Sequence, residues 1–531
     1  MISPRRAVLI LSLFLAAALV AGCGSGGGAS PPGGGGSGGS ITVLSPELAP
    51  TFDPAVISSE GCCDAYEGDG IYDNLFEINY STGQFVPRLA LSLTPSTNAT
   101  VWTMKLRSGV KFSDGTPFNA QAVAFNWNRI KDTPSLGSGC LPSIATFSSL
   151  RVTGPLALSI TLKKPNGALP QQLFGNGQTH SGQCMNIASP AALKKYGAKY
   201  GTSPGTTVGA GAFTLRQMGP NQVTLVRNPN FWDKPQPYLS SVVIELSPND
   251  TTAANAIESG TAQLVQLTTW DSQAASLEQA GYQAYILPMN GSSGVAFNAS
   301  VPPLNNVDVR EALTLASNPA VLNNEVSGGK APAVTSWYTP GSFLYDPKFA
   351  AVTTQATNNL AKARSLITAY EAQHPGGVHL TITSPPQNLP IWTVLQQEWQ
   401  NLPNVHVSID TVTSAVYPQL EHECKYQIAT GPFAADDASG FRGLFGQGGP
   451  QNYCHLSDPV LNRILDEVQP VTDPVKTKEL LNQAAARVTQ LDWFIAQYRS
   501  GLPTFAAKSV LNVKMHDPSE VDLTQLQTGT G

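Results

Sequence analysis

The chain has 531 residues, 41% hydrophobic and only 13% charged, with 31 basic against 36 acidic side chains and a net charge of −5. That length suits several domains at ~150 residues each, ample for large buried cores. The acidic balance excludes the basic stripe that nucleic acid requires to offset phosphate and a polybasic patch for an anionic membrane surface.

Residues 1–22 are not read as part of the fold. Arg5 and Arg6 precede an apolar run at 8–20, too short for an ordinary membrane span and patterned as a signal peptide. The run ends in Val20-Ala21-Gly22-Cys23, a small-residue pair followed by cysteine. This resembles the lipobox of bacterial lipoproteins and implies that Cys23 becomes the lipidated first residue of the mature chain. The arginine pair also loosely resembles a twin-arginine signal, so either export route is open. Residues 24–40, GSGGGASPPGGGGSGGS, have no face to bury and read as a flexible tether of roughly 20–25 Å typical reach. They lack the Lys-Ser/Thr ending of a phosphate loop. Anchor, tether and body together place the protein at the extracytoplasmic face of a cell membrane.

Besides Cys23 there are six cysteines: Cys62, Cys63, Cys140, Cys184, Cys424 and Cys454. An even number in an exported chain suggests disulfides, and spacing alone cannot choose the pairing. We expect Cys140–Cys184 and Cys424–Cys454, each closing a loop within one lobe. The adjacent Cys62 and Cys63 are either a vicinal pair or free thiols.

In chain order, 41–44 reads as a strand and 101–107 as an alternating one. Asp114-Gly115 is a turn, after which Asn119 caps a helix carrying Ala120, Val123, Trp127 and Ile130 on one face. Residues 156–162 alternate as a second clear strand, 223–226 and 242–246 are further strands, and 251–259 reads as a helix. A strand at 295–298 leads to Pro302-Pro303, a boundary signal, and Asp308 is expected to cap a helix through Ser317. A helix at 358–373 precedes a strand at 379–383, a helix at 390–401 and a strand at 405–409. That β–α–β rhythm points to a parallel or mixed sheet covered by helices. Ser457 and Asp473 are expected to cap two more helices, the second with Pro474 at its first position. The body reads as α/β in several lobes, without internal repeats.

The stretch 102–129, WTMKLRSGVKFSDGTPFNAQAVAFNWNR, closely resembles the signature of the oligopeptide/dipeptide/nickel family of extracellular solute-binding proteins, the receptors of ABC importers. Further segments follow in the family's order: YDNLFE at 72–77, PRLA at 87–90, IASPAAL at 187–193, GAGAFTL at 209–215, RNPNFW at 227–232 and the block at 308–316. Departures include Ala122 in place of an aspartate and Ala212 in place of a proline. The resemblance implies a two-domain periplasmic-binding-protein clamshell of mixed sheets with an extra third lobe. One α/β domain would comprise 41–80, 208–294 and 495–531, the extra lobe 81–207 and the second α/β domain 295–494. Crossings near 294 and 495 would form the hinge.

The family's amine-binding stretch is matched by 431–437, GPFAADD. A carboxylate buried by closure needs a cationic partner, which makes it a selector for an amine. The resemblance assigns this role to Asp436, with Asp437 next in line and Phe433 as a pocket wall. The competing reading is that both aspartates cap the next element. Trp270, Trp392 and Tyr66 are expected to face the cleft, with core packing as the alternative. The acidic run Asp64, Glu67, Asp69 and Asp73 either lends the cleft negative potential or is a solvated loop.

No histidine stands in a recognised metal spacing, and no catalytic or nucleotide motif occurs. Neither metal nor cofactor nor catalysis is therefore expected. The implied function is capture of a short peptide or other amine-bearing solute by a monomeric, lipid-anchored protein that delivers it to ABC permease subunits. The alternatives are a sensing protein without transport, a metal–chelate ligand, or a secreted hydrolase using the aspartate pair.

Overall fold

The structure, a computed structural model, describes residues 38–56, 65–136, 138–175, 184–268, 270, 272–287, 291–329, 334–338, 340–414, 416–434, 437–498, 502–515 and 521–529. Cys23, Cys62 and Cys63 lie outside them.

Local signals produce the elements they announce. Asn119 accepts from the Ala122 N–H and starts the helix Ala120–Asp132, which buries Ala120, Val123, Trp127 and Ile130. Asp473 accepts from the Lys476 N–H and opens Pro474–Leu491. Two caps fall on neighbours of the expected residues. Asn306, not Asp308, accepts from the N–H groups of Asp308 and Val309, so the helix begins at Val307. Asp458, not Ser457, accepts from the Leu461 N–H, because Pro459 takes the first helical position, where its missing N–H costs nothing.

Three main sheets organise the chain. The seven-stranded sheet runs, in spatial order, Gln283–Tyr285, Thr504–Ala506, Leu264–Gln266, Ser40–Ser45, Ser241–Leu246, Gln222–Arg227 and Phe213–Met218. Ser40–Ser45 lies parallel to both its neighbours. The five-stranded sheet runs Val405–Thr411, Val378–Ser384, Ile428–Ala434, Gly291–Phe297 and Phe494–Tyr498. Its first two strands are parallel and joined through the helix Leu389–Trp399, the β–α–β unit read from the sequence. The third sheet is antiparallel, Ala90–Pro95, Val101–Leu106, Ala157–Leu162 and Phe147–Gly154. There Trp102 faces Ile160 in register, both buried.

The chain leaves the seven-stranded sheet after Tyr285 and enters the five-stranded one at Gly291; it leaves that sheet after Tyr498 and returns at Thr504. Each sheet has its own core. The antiparallel lobe is built on Trp102, Met104, Trp127, Phe147 and Ile160, with the Cys140–Cys184 disulfide inside it. Cys424–Cys454 closes a second loop beside the five-stranded sheet. Both pairings are the expected ones.

The antiparallel lobe is seated directly on the second α/β body. Ala168, from the lobe, packs in one cluster with Leu465, Val468 and Trp337. The Gly167 N–H donates to the Gln469 carbonyl at 2.7 Å, and a Cβ at Gly167 would stand 1.8 Å from the Val471 carbonyl oxygen. Gly83, at φ +69°, comes so close to the Phe343 ring that a Cβ there would lie 2.5 Å from it. Only glycine permits either approach.

Candidate functional site

Beside that seam lies a cavity of about 840 Å³. Ser81, Gly83, Gly167 and Gln171 wall it from the lobe; Ser342, Phe343, Phe349, Asp437, Thr477 and Lys478 wall it from the second α/β body. The volume falls within the ~300–1,000 Å³ usual for small-molecule sites.

Asp437 is the most constrained charge in this wall. It caps the helix Ala438–Phe445, its Oδ1 accepting from the N–H groups of Ser439 at 2.5 Å and Gly440 at 2.9 Å. The capping alternative weighed from sequence therefore describes one of its oxygens. Its Oδ2, on a residue only 2% exposed, is closed off from solvent and has no hydrogen-bond partner among the described residues. Burial pushes the carboxyl up to about 6, against the two N–H bonds that favour its charged form. A half-satisfied buried carboxylate is costly in the empty protein and strongly relieved by a cation.

Lys478 faces the same cavity from the second turn of Pro474–Leu491. Nearby Lys476 pairs with Glu479 at 3.3 Å and Glu467 at 3.6 Å, whereas Lys478 forms no ion pair among the described residues. Sequence reading missed Lys478, Gln171, Ser81 and Phe343. Nothing in their local patterns marks them, because the segments that carry them meet only in the folded chain.

The other sequence-derived candidates stand elsewhere. Asp436 lies outside the described residues. The Phe433 backbone pairs opposite Ser292 in the five-stranded sheet, and its side chain lies outside what is described. Trp392, 1% exposed, packs among Leu395, Trp399 and Val407. Trp270 rests on Phe505, ring centroids 6.3 Å apart. The indole N–H of each has no partner among the described residues. Tyr66, 1% exposed, borders a separate cavity of about 30 Å³ together with Asp69, Asp73 and Arg88. The acidic run is not a solvated loop where it is described. Glu67 and Asp73 are buried, with Asp73 bound by Arg88 at 2.9 Å and by the Trp232 indole at 2.6 Å. The helix Ala65–Tyr72 turns Glu67 inward, and for Asp73, just past its end, Arg88 supplies the compensating charge.

Among the described residues no group of three or more His, Cys, Asp or Glu side chains is arranged to hold a metal, and no helix is long and apolar enough to cross a membrane.

Residues 84–455 match the model of the bacterial extracellular solute-binding proteins, family 5, middle region. The chain belongs to that family. It is 31% identical over 349 residues to the glutathione-binding protein GsiB of Escherichia coli O1:K1, a match covering 65% of this chain and 64% of that one, so it spans under two thirds of that relative. It is 24% identical over 411 residues to the periplasmic oligopeptide-binding protein OppA of Escherichia coli K12, covering 73% and 74% of the two chains. Among solved structures, NikA from Brucella suis in complex with Fe(III)-EDTA superposes with a TM-score of 0.77 at 18% identity, covering 92% of this chain and all of that one (100%). DppA from Helicobacter pylori in complex with the peptide STSA gives 0.72 at 19% identity, covering 92% and 98%. The fold is accordingly the two-domain binding-protein clamshell with an extra lobe.

Proposed function

We propose that the protein is an extracytoplasmic receptor that encloses a short peptide or another amine-bearing solute and delivers it to an ABC importer without altering it chemically. The observation that carries this reading is the cavity of about 840 Å³ between two lobes, with the buried carboxyl of Asp437 in its wall. An ammonium group enclosed near this carboxyl is attracted by its negative charge and offsets part of the cost of its burial. Asp436, adjacent in sequence, shares the assignment, and Phe433, Trp392, Trp270 and Tyr66 are carried as candidate contacts. The names of the relatives, which bind glutathione and oligopeptides, support an amine-bearing ligand.

In this reading the first α/β domain comprises 41–80, 208–294 and 495–531, the extra lobe 81–207 and the second α/β domain 295–494. The hinge lies in the two crossings between the sheets, and closure presents one outline to the permease. Residues 1–22 serve as signal peptide, Cys23 as lipid anchor and 24–37 as tether; the tether stops short of the expected residue 40 because Gly38 and Gly39 are hydrogen-bonded to the fold and Ser40 opens the first strand.

A thermal-shift screen of the full chain tests the proposal, with trialanine, N-acetyltrialanine, glutathione, a nickel chelate and maltose as probes. A ligand present at 100 times its Kd adds about 2.7 kcal/mol of stability. The expected result is a shift with free-amine compounds that N-acetylation abolishes and Asp437→Asn weakens. Equal shifts with trialanine and its acetylated form would remove the amine from the account.

A further inference from the structure

We infer that the Cys424–Cys454 bridge is a thiol-exchange site, which small thiols open through a mixed disulfide on Cys454 while Cys140–Cys184 stays closed.

The two bridges sit in opposite surroundings. Cys140 and Cys184 are 0% and 3% exposed and belong to the apolar core of the antiparallel lobe. A thiolate entering there would shed its hydration among apolar side chains, and buried cysteines of this kind are inert. Cys424 and Cys454 instead both line a cavity of about 750 Å³ on the second α/β body. His422, Glu423, Lys425 and His455 in the same wall are exposed, so the cavity is open to water.

The wall also receives a departing sulfur. The Asn298 side-chain amide, on a residue 1% exposed, donates to Cys424 Sγ at 3.1 Å and to the Tyr426 carbonyl at 2.8 Å. Its oxygen accepts from the N–H of Ser300 at 3.1 Å and from the Ser300 hydroxyl at 2.5 Å, which fixes the amide with its N–H side on the sulfur. That hydrogen bond strengthens when the sulfur becomes an anion. Lys425 adds an ammonium to the wall, paired with Glu423 at 2.6 Å. The imidazoles of His422 and His455 add proton acceptors.

An entering thiol gives its proton to water or to one of these imidazoles, and the thiolate attacks Cys454 Sγ. A new S–S bond joins the guest to Cys454. The Cys424–Cys454 bond breaks, and its electron pair leaves on Cys424 Sγ against the Asn298 amide. A second thiolate then attacks the guest sulfur, releasing the guest as its disulfide and Cys454 as a thiolate. Two thiols are oxidised and one bridge is reduced, by two electrons.

The backbone favours opening. Cys424 ends the helix Tyr417–His422 at φ +51°, with the Lys425 N–H bonded to the Leu420 carbonyl, a left-handed position that usually takes glycine. His455, next to Cys454, stands at φ +52°. Side chains hold such angles at a cost, which an opened loop is free to relieve. The loop between the two cysteines carries the strand Ile428–Ala434 and the helix Ala438–Phe445, so exchange loosens the attachment of both.

The test is incubation of the full chain with graded cysteamine under native conditions, followed by iodoacetamide and peptide mapping by mass spectrometry. Cysteamine is expected on Cys454, with Cys424 alkylated, at thiol concentrations ten-fold or more below those that open Cys140–Cys184. Asn298→Asp removes the donor at nearly constant shape and should slow opening roughly ten-fold, the scale of one hydrogen bond, and move part of the adduct to Cys424. The adduct position in the wild type needs no variant and reads the leaving sulfur directly. Opening of both bridges at one concentration overturns the site, and an adduct chiefly on Cys424 in the wild type overturns the direction of exchange.

Discussion

The backbone N–H of Gly167 donates to the carbonyl of Gln469 at 2.7 Å, joining the extra lobe to the second α/β body main chain to main chain. The contact forms the edge of the cavity that holds Asp437 and Lys478. Its closeness depends on the absence of a side chain, since a Cβ would fall 1.8 Å from the Val471 carbonyl oxygen.

Gly167→Ala should therefore force this seam apart. Overpacking of this kind costs about 1–3 kcal/mol. The expected outcome is a lower melting temperature and a larger radius of gyration by small-angle scattering, with each lobe's secondary structure retained by circular dichroism. Scattering and melting curves that overlay those of the wild type would show that the seam does not hold the lobes together.

The buried carboxyls set the response to pH. Burial raises Asp437 and Asp492 to about 6 and Glu398 and Glu421 to about 7. For Asp437 the native value exceeds its ordinary value of 3.8. Between those limits the native state binds more protons than the unfolded state, so stability falls as pH rises and the loss is complete above about 6. For Asp437 the cost at neutral pH is on the order of 3 kcal/mol. Melting of the ligand-free protein should drop between pH 4 and 7, and Asp437→Asn should flatten part of that slope. A stability that climbs with pH over this window would contradict the burial of these groups.

Asp53 and Arg129 make a two-point ion pair, Oδ1 and Oδ2 receiving from Nη1 and Nη2 at 2.7 and 2.6 Å. It ties the loop after the first strand to the helix Ala120–Asp132. Asp53 is 6% exposed, so Asp53→Ala leaves a guanidinium without its fork partner and should cost about 1–3 kcal/mol. Arg129→Lys should lose part of that, because an ammonium cannot reproduce both bonds. Chemical denaturation measures both; identical midpoints for wild type and Asp53→Ala would assign the pair no weight.

Cys140–Cys184 and Cys424–Cys454 close loops of 44 and 30 residues. Loop-closure entropy of that size corresponds to about 3–4 kcal/mol per bridge. Reduction should lower the melting temperature, and the Cys140→Ser, Cys184→Ser double variant should do so without reductant. Peptide mapping under non-reducing alkylation should recover both linked pairs; a different linkage would displace the loop assignment.

How much of this could be read beforehand depends on the range of the interaction. Asn119 and Asp473 were legible as caps because the groups they bond lie three residues on. Asn306 and Asp458 displaced Asp308 and Ser457, two positions and one position away, because nearby residues had the same capping chemistry and only the path of the entering backbone chose between them. Asp437 was legible as a candidate from its motif, but its division of labour, one oxygen capping and the other unpartnered, was not.

By itself the sequence determined the periodic elements, the β–α–β unit at 379–409 and the family signature at 102–129. Each is written in spacing over a short stretch, or in motif order along the chain. Only the tertiary structure decided that Gly83, Gly167, Asp437 and Lys478 border one cavity. Periodicity records which face of an element leaves water, and it carries no address for the surface that face will meet. A contact across some three hundred residues comes from shape and packing once the lobes are formed, so the site becomes visible only when the chain is folded.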